Sequence, residues 1–417
     1  MNGEVGPSVR VSLAVTIVVG AAFVTLAATL VPWDWLPGGH VAEVPADQVF
    51  TAAQIARGER VSGLLRHAAW GNIVISVLVA AALGFTRLGS ALVARLPGRW
   101  PLKVVVGCLA LTVVGAVSAL PLQWGSQRVR RTEGLSHQAW GSWLVDRVME
   151  LGVTWVFTAV GVLVVVGLAR LVPRTWPAWG ALAAASLAML GSFVYPVVVE
   201  PLFNDFTPME AGPLRSDILA LAEKEHVRVD DVLVADASRR TTTLNAYVSG
   251  YGGTRRVVVY DTLLTGLSRP EAEVVVAHEL GHAKNDDVLL GTALGALGSA
   301  AGIGMLGLVL SRRRLLDRAG VAGLGDPRAV PLVLALAVVG SLLASPVQNT
   351  ISRAIEARAD RVALRATNDP NTFVSMQKDL ALRSLADPTP PAWSQFWFGS
   401  HPTTLQRIGL AEAVRTH

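Results

Sequence analysis

The run AHELGHAKND at 277–286 sets two imidazoles and a carboxylate where they can act together. Residues four apart share one face of an α-helix. His278 and His282 can therefore reach a single metal ion while Glu279, one position on, points at a ligand beside it. That is the arrangement zinc-assisted hydrolysis of a peptide bond requires. A catalytic zinc keeps one coordination position open for water, lowers the pKa of that water towards neutrality and polarises the substrate carbonyl. Glu279 then takes the proton from the water and returns it to the leaving amine. The competing reading is a polar helix face with no ligand. It is disfavoured because AEVVVAHELGHA is mostly apolar, and an unliganded polar trio there is costly.

Two histidines and a water leave such a zinc one protein donor short. The only cysteine, Cys108, lies inside an apolar run, which excludes an intrachain disulfide and a cysteine metal site. The stretch ISRAIEARADRVALRA sets Glu356 and Asp360 four apart on one helical face. Glu356 can bind the zinc, and Asp360 can accept a hydrogen bond from a ligand imidazole, fixing its tautomer and orientation. Taken alone, the stretch reads as a surface helix laced with ion pairs from Arg353, Arg358, Arg361 and Arg365. The HExxH run reverses that balance.

The elements that must position these groups can be read in outline. Ser268 with Glu271 three residues on has the pattern of a capping box, and Pro270 suits a first turn, so the metal helix starts near residue 269. Before it, PLRSDILALAEKEHV reads as an amphipathic helix with Leu214, Ile218, Leu221 and Ala222 on one face. VDDVLVADAS and TRRVVVYD read as strands, and TTTLNAYVSGYGG between them as a further strand ending in a glycine turn, giving a small antiparallel sheet. DTLLTGL makes a short helix.

The rest of the chain belongs in a bilayer. It is 52% hydrophobic and 16% charged over 417 residues, and its apolar residues gather into long runs. A spanning helix needs about 20 mostly apolar residues. Seven runs qualify, near 11–32, 69–86, 104–122, 151–172, 178–199, 288–310 and 329–346. The first is read as a retained span because no small-residue cleavage site stands clear of it. Trp33, Trp35, Trp70, Trp124, Trp155, Trp176 and Trp179 lie mostly near the ends of runs, as interfacial anchors. FTAAQIARGERVSGLL, before the second run, is expected to lie along the membrane surface. The net charge of +5 is carried by basic residues bordering the runs, which points to membrane phosphate and not to nucleic acid.

The expected organisation is a five-span region at 1–199, a zinc peptidase domain with the HExxH helix at 200–287, spans six and seven at 288–346, and a C-terminal part at 347–417 carrying the third ligand. The fold class is an α-helical integral membrane protein with about seven transmembrane helices and a gluzincin-like α+β zinc peptidase domain. If the metal helix runs straight into the sixth span, the zinc lies only about 9 Å from the apolar boundary, six residues at 1.5 Å each.

Several stretches together carry a family resemblance: YPVVVEPLFNDFTPM at 195–209, TTTLNAYVSGYGGTRRVVVYDTLL at 241–264, AHELGHAKND, SRAIEARAD at 352–360, SHPTTLQRI at 400–408 and RRTEGLSHQAWGSWLVD at 130–146. In these the sequence resembles the integral-membrane zinc endopeptidases of the type 1 CAAX prenyl protease family, within the gluzincins. The resemblance covers most of the chain and implies one zinc per chain on His278, His282 and Glu356. Glu279 is then general base and acid, with Asp360 in its supporting role. Asn245 and His401 are implied to stabilise the oxyanion, a need the chemistry shares. Asn245, Ala246, Tyr247 and Val248 are implied to form a substrate-pairing edge strand, and Arg407 to lie on the substrate side. Main-chain pairing of that kind favours broad specificity.

The implied partners are a peptide or membrane-protein substrate and the lipid bilayer, with the chain multi-pass in the plasma membrane. CAAX processing is not carried over, because a shared fold does not fix the substrate. The basic loops at 87–103 and 312–318 lie opposite the zinc domain and by the positive-inside rule would place it outside. The resemblance implies a cytosol-facing site, and Arg128, Arg130 and Arg131 on the catalytic side weaken the charge argument. The cytosolic orientation is therefore expected. Two other readings are a stress-linked quality-control protease and a non-catalytic membrane scaffold with structural zinc, which calls for four protein ligands.

Overall fold

The computed structural model describes residues 7–34, 43–250 and 255–415. Trp35 and the glycine turn expected at 251–253 lie outside them. Among the described residues, seven helices are long and apolar enough to cross a membrane: Val9–Leu30, Ala52–Gly84, Trp100–Thr132, Trp140–Leu171, Trp176–Phe203, Asp287–Leu310 and Pro327–Thr367. They are called spans one to seven. The fifth carries a π-helical turn at Tyr195–Val199, where Pro196 and Pro201 interrupt regular helix bonding.

Several spans are longer than their apolar runs. The stretch expected on the membrane surface is instead the first half of span two, a single 33-residue helix opened by a capping box between Thr51 and Gln54. Such a helix is about 50 Å long, against a hydrocarbon core of about 30 Å. Several of its polar residues pair within the protein. Arg60 reaches Glu133 at 2.8 Å, Ser62 donates to the Leu385 carbonyl at 2.8 Å, and Arg66 pairs with Asp387 at 2.5 Å. Gly58 allows this docking, since a Cβ there would lie 2.5 Å from the Ala386 carbonyl oxygen. Spans three and four likewise extend beyond their apolar cores and meet at a tight connection, where Gly134 adopts φ +81°.

Among the described residues, four strands form one sheet: β1 (Phe206–Pro208), β2 (Asp231–Ala235), β3 (Ala246–Ser249) and β4 (Arg256–Tyr260). Their order is β1-β2-β4-β3. The sheet is mixed, not antiparallel as expected. β3 and β4 make an antiparallel pair that folds back so that β4 lies parallel to β2, and the three-residue β1 adds an antiparallel edge. β3 is thereby left at the other edge.

One face of the sheet packs on the metal helix, Arg269–Lys284. Val232, Ala246, Val257 and Val259 meet Ala272, Val276 and Leu280 of that helix, with Leu364, Phe373, Met376 and Leu410 closing the core from the C-terminal part. Each fully buried aliphatic or aromatic side chain here contributes about 1.5–3 kcal/mol. The helix that carries the chemistry is thus held on most of its circumference.

Candidate metal centre

The metal helix begins as its sequence dictates. Ser268 N and Oγ donate to Glu271 Oε2 at 3.0 and 2.8 Å, and Ser375 Oγ donates to Glu271 Oε1 at 2.6 Å. Burial pushes the Glu271 carboxyl up, but these hydrogen bonds prevail and hold it below the usual range. Gly281, between the two histidines, lets span seven approach. A Cβ there would lie 3.1 Å from Val362 Cβ and 3.3 Å from Ala359 Cα. That contact brings Glu356 and Asp360 opposite the imidazoles.

His278 Nε2 and His282 Nε2 face each other at 3.2 Å, and Glu356 completes the group with Oε2 3.2 Å from the first and Oε1 3.6 Å from the second. Donors about 2.0 Å from one tetrahedral ion lie about 3.3 Å from each other, so the observed spacings fit a single metal. The donor chemistry fits as well. Glu356 Oε2 is buried and makes no hydrogen bond, with only the imidazole nitrogens of His278 and His401 near it at 3.2 and 3.3 Å, an expensive state unless a cation serves it. Burial opposes protonation of His278, yet Asp360 and Glu356 raise its pKa to about 10. Two carboxylates this close to the paired imidazoles also favour a cation between them.

The two imidazoles are each held from behind. His278 Nδ1 lies 2.9 Å from Asp360 Oδ1, and Asp360 is fully buried. Arg407, expected on the substrate side, forks onto the same carboxylate, with Nε 2.8 Å from Oδ2 and a terminal nitrogen 2.5 Å from Oδ1. Its side chain is 13% exposed. The guanidinium neutralises the buried Asp360 carboxylate. His282 Nδ1 lies 2.9 Å from Asp287 Oδ2, and Arg358 bonds the other oxygen of Asp287.

Sequence reasoning missed Asp287. On an unbroken helix, five residues turn it about 140° away from His282. The metal helix instead ends at Lys284, and Asp286 adopts a left-handed φ of 51° that turns the chain before span six begins. The metal helix therefore does not run straight into the sixth span. The one available signal was the acidic pair Asp286-Asp287 immediately after the motif.

Glu279 is half-buried and has no hydrogen-bond or ion-pair partner among the described residues. Burial raises its carboxyl above the usual range. His401 Nε2 approaches Glu356 Oε2 at 3.3 Å, while Ser400 Oγ lies 2.9 Å from His401 Nδ1. Asn245 is exposed just before β3, and its carbonyl accepts from Tyr260 N at 3.0 Å. Along β3 the side chains alternate. Ala246 and Val248 face the core over the metal helix, and Tyr247 points the other way to donate to Glu200 Oε2 at 3.2 Å. Among the described residues, the outer main-chain edge of β3 pairs with no other strand.

Comparison with known proteins agrees with this geometry. Residues 208–415 match the family described as peptidase family M48, and residues 47–205 match the CAAX prenyl protease N-terminal region of five membrane helices. The uncharacterized metalloprotease YhfN of Bacillus subtilis (strain 168) is 32% identical over 321 residues, 76% of this chain and 75% of that one. CAAX prenyl protease 1 of Saccharomyces cerevisiae is 27% identical over 54% of this chain and 53% of its own length, so the alignment spans about half of that relative. The crystal structure of S. mikatae Ste24p superposes with a TM-score of 0.79 at 18% identity, covering 96% of this chain and 99% of that one, which shows a common fold. The chain therefore belongs to peptidase family M48 and is a multi-pass membrane metallopeptidase.

Proposed function

We propose that the protein is a zinc endopeptidase that hydrolyses internal peptide bonds of membrane-associated peptides or proteins. The observation that carries this reading is the convergence of His278, His282 and Glu356, whose donor atoms lie within 4.8 Å of one another beside an unpartnered Glu279. These three residues would hold one zinc per chain. When bound, zinc lowers the pKa of a coordinated water and polarises the substrate carbonyl. Three protein donors favour this open catalytic site over a structural one, which takes four.

The remaining steps belong to the chain's own residues. The raised carboxyl of Glu279 is suited to accept a proton from the attacking water and to deliver it to the leaving nitrogen. His401, beside Glu356, and Asn245, ahead of the edge strand, donate hydrogen bonds to the carbonyl oxygen as it gains charge. The free edge of β3 pairs with an extended substrate through main-chain groups, which fixes register with little demand on sequence. Asp360 keeps the ring of His278 in one orientation, and Arg407 keeps Asp360 in place.

Span six starts five residues after His282, so substrates reach the site from the bilayer or its boundary. The reading places the protein in the plasma membrane with a cytosol-facing site. Cleavage of a panel of membrane-anchored peptides by the purified protein in lipid nanodiscs tests it. Chelation should abolish cleavage, and stoichiometric zinc should restore it. Cleavage that persists after complete removal of metal overturns the proposal.

A further inference from the structure

We infer that Asp287 and Arg358 form a second carboxylate–arginine brace, which positions His282 as Asp360 and Arg407 position His278. The inference rests on the reading of His278, His282 and Glu356 as metal ligands. Its own basis is geometric. Asp287 is buried, 7% exposed, and divides its two oxygens between Nδ1 of His282, at 2.9 Å, and the guanidinium of Arg358. Asp360 plays the same part on the other side, its Oδ1 2.9 Å from His278 Nδ1 while Arg407 forks onto both of its oxygens. Each imidazole thus has an acceptor behind Nδ1, which commits the proton there and leaves Nε2 as the lone-pair donor facing its partner ligand.

The backbone is shaped for this contact. Asn285 closes the metal helix, and Asp286 in the left-handed region swings Asp287 back beneath His282 as the first residue of span six. Arg358 comes from span seven, two residues beyond Glu356 and two before Asp360. By occupying one oxygen of Asp287, it keeps that carboxylate behind the ring and out of the coordination sphere. The brace therefore ties the angle of His282 to spans six and seven, whereas the brace behind His278 joins span seven to the C-terminal helix that carries Arg407.

Zinc dissociation measured by competition with a chromogenic chelator, on purified protein in nanodiscs, tests the inference. Asp287→Ala should release zinc about 10–100-fold more readily than wild type. Asp287→Asn keeps an acceptor oxygen and should recover most of that loss, and Arg358→Gln should fall between them. With cobalt in place of zinc, Asp287→Ala should also shift the visible ligand-field bands, which a general loss of stability does not move. Unfolding of each variant after metal removal reports folding separately. If Asp287→Ala does not fold, Asp287→Asn and Arg358→Gln carry the test. Folded variants with wild-type zinc affinity and unchanged cobalt spectra overturn the brace. A wild type that takes up no zinc overturns the metal-centre reading itself, and that outcome is distinct because no variant could then differ from it.

Discussion

Replacing Arg407 by Met separates the role the structure gives it from the substrate contact its position in SHPTTLQRI suggests. The guanidinium is 13% exposed and its partner carboxylate 1%, so the pair is scarcely screened by solvent. Removing one member of such a pair leaves an uncompensated buried charge, a loss of about 3–5 kcal/mol. At about 1.4 kcal/mol per decade, this lowers the folded-to-unfolded ratio by roughly two to three and a half orders of magnitude. Arg407→Lys should lose less, because one ammonium keeps the charge but cannot make the fork. The double variant Asp360→Asn with Arg407→Met should recover much of the loss, since no buried charge is then stranded. The assay is unfolding in mild detergent after metal removal, so that zinc linkage does not mask the effect, together with KM and kcat on a model peptide. An Arg407→Met protein as stable as wild type, with KM raised and kcat unchanged, would refute the assignment and restore Arg407 to the substrate side.

Two further predictions concern the metal helix. Glu271→Gln should cost about 1–2 kcal/mol at neutral pH, because the hydrogen bonds from Ser268 and Ser375 lose their charged acceptor. Because the folded pKa of Glu271 lies below its ordinary value, the stabilisation is present above about pH 4.3 and fades as pH falls through the folded pKa. The gap between wild type and variant should therefore close on acidification, and a gap that widens contradicts it. Gly281→Ala gains about 1 kcal/mol of helix propensity but presses on Val362 and Ala359, which costs about 1–3 kcal/mol. Its clearer signature is weaker zinc binding, read by chelator competition, because the two helices that share the site must separate.

What the sequence revealed and what it hid divide on physical grounds. His278, Glu279 and His282 were legible because a helix turns local spacing into a shared face, and Glu356 with Asp360 followed by the same rule. Span seven needed no long-range knowledge to be recognised as apolar. The pairing of Arg407 with Asp360 was hidden because the two lie 47 residues apart and only the folded core brings them together. Asp287 was missed because a single left-handed residue, Asp286, breaks the helical count on which the search relied. The surface helix expected before the second span was misjudged for a related reason. Arg60 and Arg66 look like headgroup ligands in sequence, yet they are satisfied by Glu133 and Asp387. The mixed sheet was hidden because the parallel pairing of β2 with β4 joins strands separated by β3, and because three-residue β1 carries too short a pattern to register.

The central claim is that one metal held by His278, His282 and Glu356 works with Glu279 to cleave peptide bonds. Its most direct test is the Glu279→Gln variant, purified beside wild type and measured for bound zinc and for cleavage of the same peptide. One zinc per chain is expected in both, with cleavage in the variant reduced by at least about 10²–10⁴-fold. Equal cleavage by the two proteins at equal zinc content would contradict the account.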